Sequence, residues 1–381
     1  MKYFRLMKIV VAPDKFKSSL TGWQFCNAVE EGVHAVNPDV QIIKLPLSDG
    51  GDGTMDVLQH HLNGELVGVE VNNPFFNLIQ ATYLYAEDSK TAFIEMAEAS
   101  GMKLLKQEQL DCKNATTFGT GEMIADAMNK GARKIILGIG GSATNDCGIG
   151  MATALGYQFL DKNNRSVKPI GANLARIESI DVTQVHPKLN DVVIEVACDV
   201  ENPLFGKDGA ALVYAAQKGA TEDDIKMLDD GLKSFSKIIE RVFNINPQAV
   251  KGAGAAGGIG IASKIFLNGE LQSGIQLIKR VANFDEKIKN ADWIITGEGI
   301  LDKQTLSGKT VHGVAVSAKA KNIKVAAFCG DLKLSEKELK NFGIDYTDWV
   351  LRHAKDLDDA LENSYDYVIK MAIGFAKKVR L

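Results

Sequence analysis

Acidic residues in glycine-bearing turns are the first chemistry this chain offers. Asp14, Asp49, Asp52, Asp146, Asp199, Glu298 and Asp302 each stand at or just past the end of a short apolar run. One such aspartate needs no explanation, because Asp bonds its own backbone in turns. Seven of them, with Lys15, Lys17, Ser18, Ser19, Lys303 and Lys309 interspersed, are the components of magnesium–phosphate chemistry. A hard cation takes carboxylate oxygens, phosphates take N–H and Lys donors, and an acceptor hydroxyl takes a carboxylate that positions it or removes its proton. The stretch KIILGIGGSATNDCGIGMATALG, 134–156, adds a strand end, a polar glycine turn and a helix start. Gly140, Gly141, Ser142, Thr144 and Asn145 there are candidate donors to a phosphate or carboxylate. Asp146 cannot donate when ionised and points to a metal or a hydroxyl.

Two familiar motifs fail. Gly308-Lys309-Thr310 has Lys303 where a P-loop needs its first glycine, so it is not a Walker A sequence. Gly252, Gly254 and Gly257 match GxGxxG, but no strand signal precedes them and no ribose-binding acid follows at the right place. The six histidines form no metal or nucleophile pattern. Ser142 lacks the GxSxG setting of a hydrolase nucleophile.

The elements that must hold these turns follow from periodicity. Runs at 8–12, 40–45, 292–296, 324–329 and 346–351 read as buried strands, and helical spacing begins at Phe25. Thr21/Gln24, Thr221/Asp224 and Ser335/Glu338 have the spacing of capping boxes. Between about 64 and 95 the texture is that of an antiparallel or mixed sheet. This predicts an α/β protein of two domains. Residues 1–67 and 290–381 form an open parallel, Rossmann- or flavodoxin-like sheet. Residues 68–289 form an inserted, glycine-rich α/β domain with a mixed sheet, and the active site is expected in the cleft between the two. Ligands in such sheets bind at the carboxyl ends of strands.

Composition narrows the partners. The 381 residues carry a formal charge of −4 without a basic block, which argues against nucleic acid. No run of about 18 apolar residues predicts a membrane span. The start, MKYFRLMKIV, lacks a signal-peptide core, so a cytoplasmic protein is expected. The helical pattern at 222–242 can cover its own core or a second copy, which makes a homodimer a candidate assembly.

VAPDKFKSSLT, LPLSDGGDGT, GIGGSATNDCG, ACDVENPLFG, GAGAAGGIG and TGEGILDKQTLSGKT together closely resemble the bacterial glycerate kinase family, in the same order along nearly the whole chain. The resemblance implies an ATP- and Mg²⁺-dependent kinase that converts D-glycerate to 2-phosphoglycerate. Reaction at the 3-hydroxyl is the alternative, and an NAD(P)-dependent oxidoreductase of small hydroxy acids a more distant one. On this reading Asp199, Asp302, Lys309 and Lys17 are the catalytic candidates. Lys15, Ser18, Gly140, Gly141, Ser142, Thr144, Asn145, Asn202 and Gln304 would bind substrate or phosphate. Gly254, Gly257, Gly258, Gly297 and Gly299 would face ATP, and Asp49, Asp52, Asp146 and Glu298 the metal. Three positions depart from the family pattern: Asp52 where Glu is frequent, and Ser19 and Cys147 where Gly is common.

Overall fold

The computed structural model describes residues 6–16, 19–51, 53–303, 305 and 309–381. In chain order its strands are β1 (Lys8–Val11), β2 (Gln41–Lys44), β3 (Glu65–Asn72), β4 (Leu78–Ala86), β5 (Thr91–Glu95), β6 (Lys134–Gly138), β7 (Gln158–Leu160), β8 (Ser179–Asp181), β9 (Val193–Ala197), β10 (Glu270–Gln272), β11 (Trp293–Leu301), β12 (Lys324–Leu332) and β13 (Tyr346–Trp349). They fall into two compact units. The terminal unit joins Met1–His61 to Ile275–Leu381, and the inserted unit is Leu62–Gly274.

The terminal unit is a wholly parallel sheet of order β13-β12-β11-β1-β2. Its short strands are runs of β-branched and apolar residues covered on both faces, as parallel sheets require. Ile9, Val11, Phe25, Val29, Phe328 and Phe375 are core residues on one face. The helix Gly22–His34 starts at the Thr21/Gln24 capping box and buries its apolar stripe against the helix Ser364–Val379. A Cβ at Gly32 would lie 2.5 Å from the Ile369 carbonyl, so only glycine allows that approach. The chain leaves β1 toward β2 on one side, while β11, β12 and β13 run away on the other. The β1/β11 junction is therefore the topological switch point, where open α/β sheets bind ligands.

The inserted unit has a mixed sheet of order β10-β9-β6-β5-β4-β3. β3–β4 and β4–β5 are antiparallel and the remaining pairs parallel. The helix Glu222–Phe243 turns Leu228, Leu232, Phe235 and Ile239 into this unit's own core, so its apolar stripe is spent within the chain and gives no ground for a homodimer.

The sequence reading placed the domain boundaries at 67/68 and 289/290, whereas contacts divide the chain at 61/62 and 274/275. The second boundary moves because the helix Gly274–Val281 packs with the terminal unit; Ile275 lies against Gly313, too close for a Cβ there. No helix among the described residues is long and apolar enough to cross a membrane.

Candidate active site

Backbone pairing beyond the ends of β1 and β2, the former against the middle of β11, collects three carboxylates at the switch point. Past β1, Ala12 N–H donates to Ile295 O and Asp14 N–H to Gly297 O, both at 2.8 Å, which carries Asp14 alongside Glu298. Past β2, Leu47 N–H donates to Pro13 O at 2.8 Å and brings Ser48 and Asp49 to the same edge. Ser48 and Thr54 share a 2.7 Å hydrogen bond, and Gly51 N–H donates to Asp49 Oδ1 at 3.1 Å. The Asp49 turn is thereby fixed.

Asp14, Lys15, Asp49, Glu298, Asp302 and Lys309 all line a cavity of about 830 Å³ within the terminal unit. A second cavity of about 320 Å³ in the same unit is bordered by Asp14, Lys15, Ser19, Thr21, Ser48 and Asp56. Asp14 and Lys15 therefore border both. Burial, and then the neighbouring Asp49, push the Asp14 carboxyl up to about 6, against a hydrogen bond from the Thr310 hydroxyl and one from Lys15 N–H at 2.7 Å. Burial pushes Glu298 up to about 7; the Thr305 hydroxyl donates to it and opposes that rise, while Asp14 adds to it. Asp302 and Thr305 hold one another, Thr305 Oγ1 accepting from Asp302 N–H at 3.1 Å and Asp302 Oδ1 from Thr305 N–H at 3.2 Å. Lys309 precedes the helix Thr310–Ala320 in extended conformation, and its own side chain makes no capping bond.

The residues present fit a magnesium ion. Asp49 disfavours the ionised form of Asp14, and both disfavour that of Glu298, a penalty that a cation removes. Among the described residues no three acidic, His or Cys groups close into a cage. Mg²⁺ does not need one, since it binds through one or two carboxylates together with phosphate and water.

Other expected site residues belong to the inserted unit. Gly140 and Gly141 are exposed beyond β6, and the turn after them is buried. Lys218, only 3% exposed, donates to Ser142 Oγ at 2.6 Å and to Thr144 O at 2.8 Å. Thr144 Oγ1 and both polar side-chain atoms of Asn145 are buried without a hydrogen-bond partner among the described residues. Sequence reasoning missed Lys218: it ends the short 3₁₀ turn Ala216–Lys218, in a stretch that reads as surface. Burial pulls its ammonium down to about 8 from the usual 10.5. Below pH 8 both the folded and unfolded chains hold that proton. Between 8 and 10.5 the folded chain releases it first, so Lys218 makes stability rise with pH across that window. The unfolding free energy of the parent minus that of Lys218→Met, measured in urea, should grow by about 3 kcal/mol from pH 8 to 10.5. A pH-independent difference would mean that Lys218 is not desolvated.

The structure gives the remaining expected residues the following surroundings. Asp146 is fully buried, and its carboxylate accepts from Thr117 N–H and Oγ1 at 2.8 Å each, Gly148 N–H at 3.1 Å and Gly150 N–H at 3.2 Å. These four bonds make it an internal anchor of the fold. Gly254, Gly257 and Gly258 are packed against the chain itself. Cβ atoms there would lie 2.1 Å from Pro203 O, 2.2 Å from Thr144 O and 2.8 Å from Cys147 Cα, so these glycines admit the protein's own backbone. The GxGxxG run also follows a 3₁₀ turn, Pro247–Ala249, instead of a strand, which removes the dinucleotide reading. Gly297 is required by β12, since its Cβ would lie 2.0 Å from Phe328 O, whereas Gly299 lines the larger cavity. The Asn202 amide is taken up within its own loop, donating to Asp208 O at 2.8 Å and accepting from Tyr214 at 2.7 Å. Asp199 is exposed, and its Oδ1 accepts from Gly274 N–H at 3.0 Å. Cys147 is buried with φ +50°, a left-handed conformation suited to the glycine the family pattern has there, and burial pushes its thiol far up. Lys17, Ser18, Asp52 and Gln304 lie outside the described residues.

A parallel α/β sheet with carboxylates and lysines converging at its switch point marks a candidate ligand site of an α/β protein. Comparison with known proteins narrows the class. A sequence model of the glycerate kinase family matches residues 9–380, and the chain belongs to that family. It is 42% identical over 354 residues to the glycerate kinase of Halalkalibacterium halodurans, covering 93% of both chains. It is 40% identical over 370 residues to the glycerate 2-kinase of Escherichia coli K12, covering 97% of both. A crystal structure from Salmonella typhimurium LT2, of a protein assigned as glycerate kinase 2, superposes with TM-score 0.89 at 39% identity over 99% of each chain.

Proposed function

We propose that this protein transfers the γ-phosphoryl group of ATP to the 2-hydroxyl of D-glycerate, with Mg²⁺, giving 2-phosphoglycerate and ADP. The observation that carries the reading is the position of Asp14 on both cavities of the terminal unit. A small hydroxy acid suits the cavity of about 320 Å³, which Lys15 lines with a charge opposite to that of its carboxylate. The triphosphate suits the larger cavity, with Lys309 and the first amides of the Thr310–Ala320 helix toward the transferring group. Asp14 then faces the acceptor hydroxyl and takes its proton as the new O–P bond forms and the bond to the ADP leaving oxygen breaks. Asp49 and Glu298 would hold Mg²⁺, which supplies neutralising charge to the phosphates. The free thiols, four of them buried, suit a reducing compartment and support a cytoplasmic setting.

Phosphorus NMR of the product formed from D-glycerate and ATP tests activity and regiochemistry together. A single 2-phosphoglycerate resonance is expected. A 3-phosphoglycerate resonance would move the acceptor to the other hydroxyl, and no glycerate-dependent phosphoester would remove the proposal.

A further inference from the structure

We infer that the base of the nucleotide donor rests on the apolar wall of the larger cavity, formed by Val350, Leu351, Leu357, Ala360 and Leu361. This assignment rests on the kinase reading and adds to it where the nucleotide lies. The cavity has two chemically distinct ends. One carries Asp14, Asp49, Glu298 and Lys309, which suit a metal-bound triphosphate. The other is aliphatic, contributed by the 3₁₀ turn Val350–Arg352 and the helix Leu357–Glu362.

Val350 and Ala360 are 1% and 5% exposed and make a packed floor, whereas Leu357 and Leu361 are 60% and 40% exposed. The two leucines are four residues apart on one helix face, so they present one surface. A single exposed leucine is ordinary, but a pair opening into a charged cavity is placed to cover an apolar ligand surface. Buried Ser364 turns its hydroxyl back onto Ala360 O and Leu361 O, so that hydroxyl is spent within the helix rather than offered to the cavity. Gly299 and Gly330 also line the cavity, and a Cβ at Gly330 would lie 2.6 Å from Gly299 O, so β11 and β12 meet at that pair without side chains. About 830 Å³ lies within the range of pockets that enclose a cofactor-sized molecule. The glycine loop at 252–258, the other sequence candidate for nucleotide, is filled by the protein's own backbone.

The test compares two ligands that differ in the base and ribose, MgADP and Mg-tripolyphosphate, on the full-length protein. Hydrogen exchange should slow across residues 350–364 with saturating MgADP and not with tripolyphosphate. Absence of ADP-specific protection there overturns the assignment. In the double variant Leu357→Gln, Leu361→Gln, at positions exposed enough to leave folding intact, the Kd for MgADP should rise about tenfold while that for tripolyphosphate stays unchanged. An unchanged Kd for MgADP also overturns it. Glycerate-dependent ATP consumption by the parent keeps the two readings separable. If turnover is present and the protection absent, only the base site fails; if ADP protects and turnover is absent, only the kinase reading fails.

Discussion

The Asp14→Asn protein should turn over D-glycerate and ATP at least about 100-fold more slowly than the parent, with no loss of thermal stability. The two halves of this expectation come from the same geometry. Asp14 Oδ1 accepts from Lys15 N–H and Oδ2 from the Thr310 hydroxyl. Asparagine keeps the first bond through its carbonyl, and its amide N–H can donate to Thr310, whose hydroxyl reverses. The fold therefore loses no partner, and it sheds a carboxylate that burial and Asp49 hold up at about 6. Removing a desolvated charge that sits beside like charges leaves stability unchanged or slightly raised. The chemistry has no such substitute, because an amide cannot take the proton of the attacking hydroxyl. A carboxylate with its ordinary affinity for protons would be a weaker base than one raised to about 6, which is mostly ionised at neutral pH and near the operating range. Steady-state kcat with both substrates saturating, together with a thermal melt, checks both halves. A variant with parental kcat would take Asp14 out of the proton transfer, and one that melts early would make it a structural residue.

The parts of this molecule legible in its sequence were those set by local rules. All three capping boxes form, at Thr21/Gln24, Thr221/Asp224 and Ser335/Glu338, because each needs only residues three apart. The strands were legible because β-branched runs flanked by turn residues have few other uses. In the sequence Asp14 is one strand-end acid among seven, since what distinguishes it is a sheet register set by Gly297, 283 residues away. Lys218 was invisible for the same reason: its partners, Ser142 and Thr144, are 76 and 74 residues distant. The glycines of 252–258 carry the same sequence signal whether they admit a phosphate or a neighbouring peptide, and only the position of Thr144 O and Pro203 O decides between them. The boundary at 274/275 was missed because an amphipathic helix such as Gly274–Val281 shows that it has an apolar face, not which unit receives it.

Asp146 separates a metal role from a structural one most sharply, and the Asp146→Ala protein should lose about 3–5 kcal/mol of the stability of the inserted unit. Its carboxylate ties together two segments, the start of the helix Phe118–Lys130 through Thr117 and the start of the helix Ile149–Ala154 through Gly148 and Gly150. The Thr117 hydroxyl that donates to Asp146 also accepts from Met151 N–H at 2.8 Å, so the carboxylate orients a second bond it does not itself make. Alanine leaves three backbone N–H groups and one hydroxyl in a fully buried place with their acceptor gone. A buried donor without a partner costs about 1–3 kcal/mol, and relaxation or an entering water recovers part of the sum. Asp146→Asn should also destabilise, because its amide N–H₂ would face donors where a carboxylate oxygen stood. Urea unfolding followed by a probe in the inserted unit measures the loss, and the Mg²⁺ dependence of turnover provides the contrast. A metal ligand would leave unfolding nearly untouched and raise the Mg²⁺ requirement; the hydrogen bonds to Asp146 require the reverse, an early transition with the Mg²⁺ requirement of the surviving folded fraction unchanged.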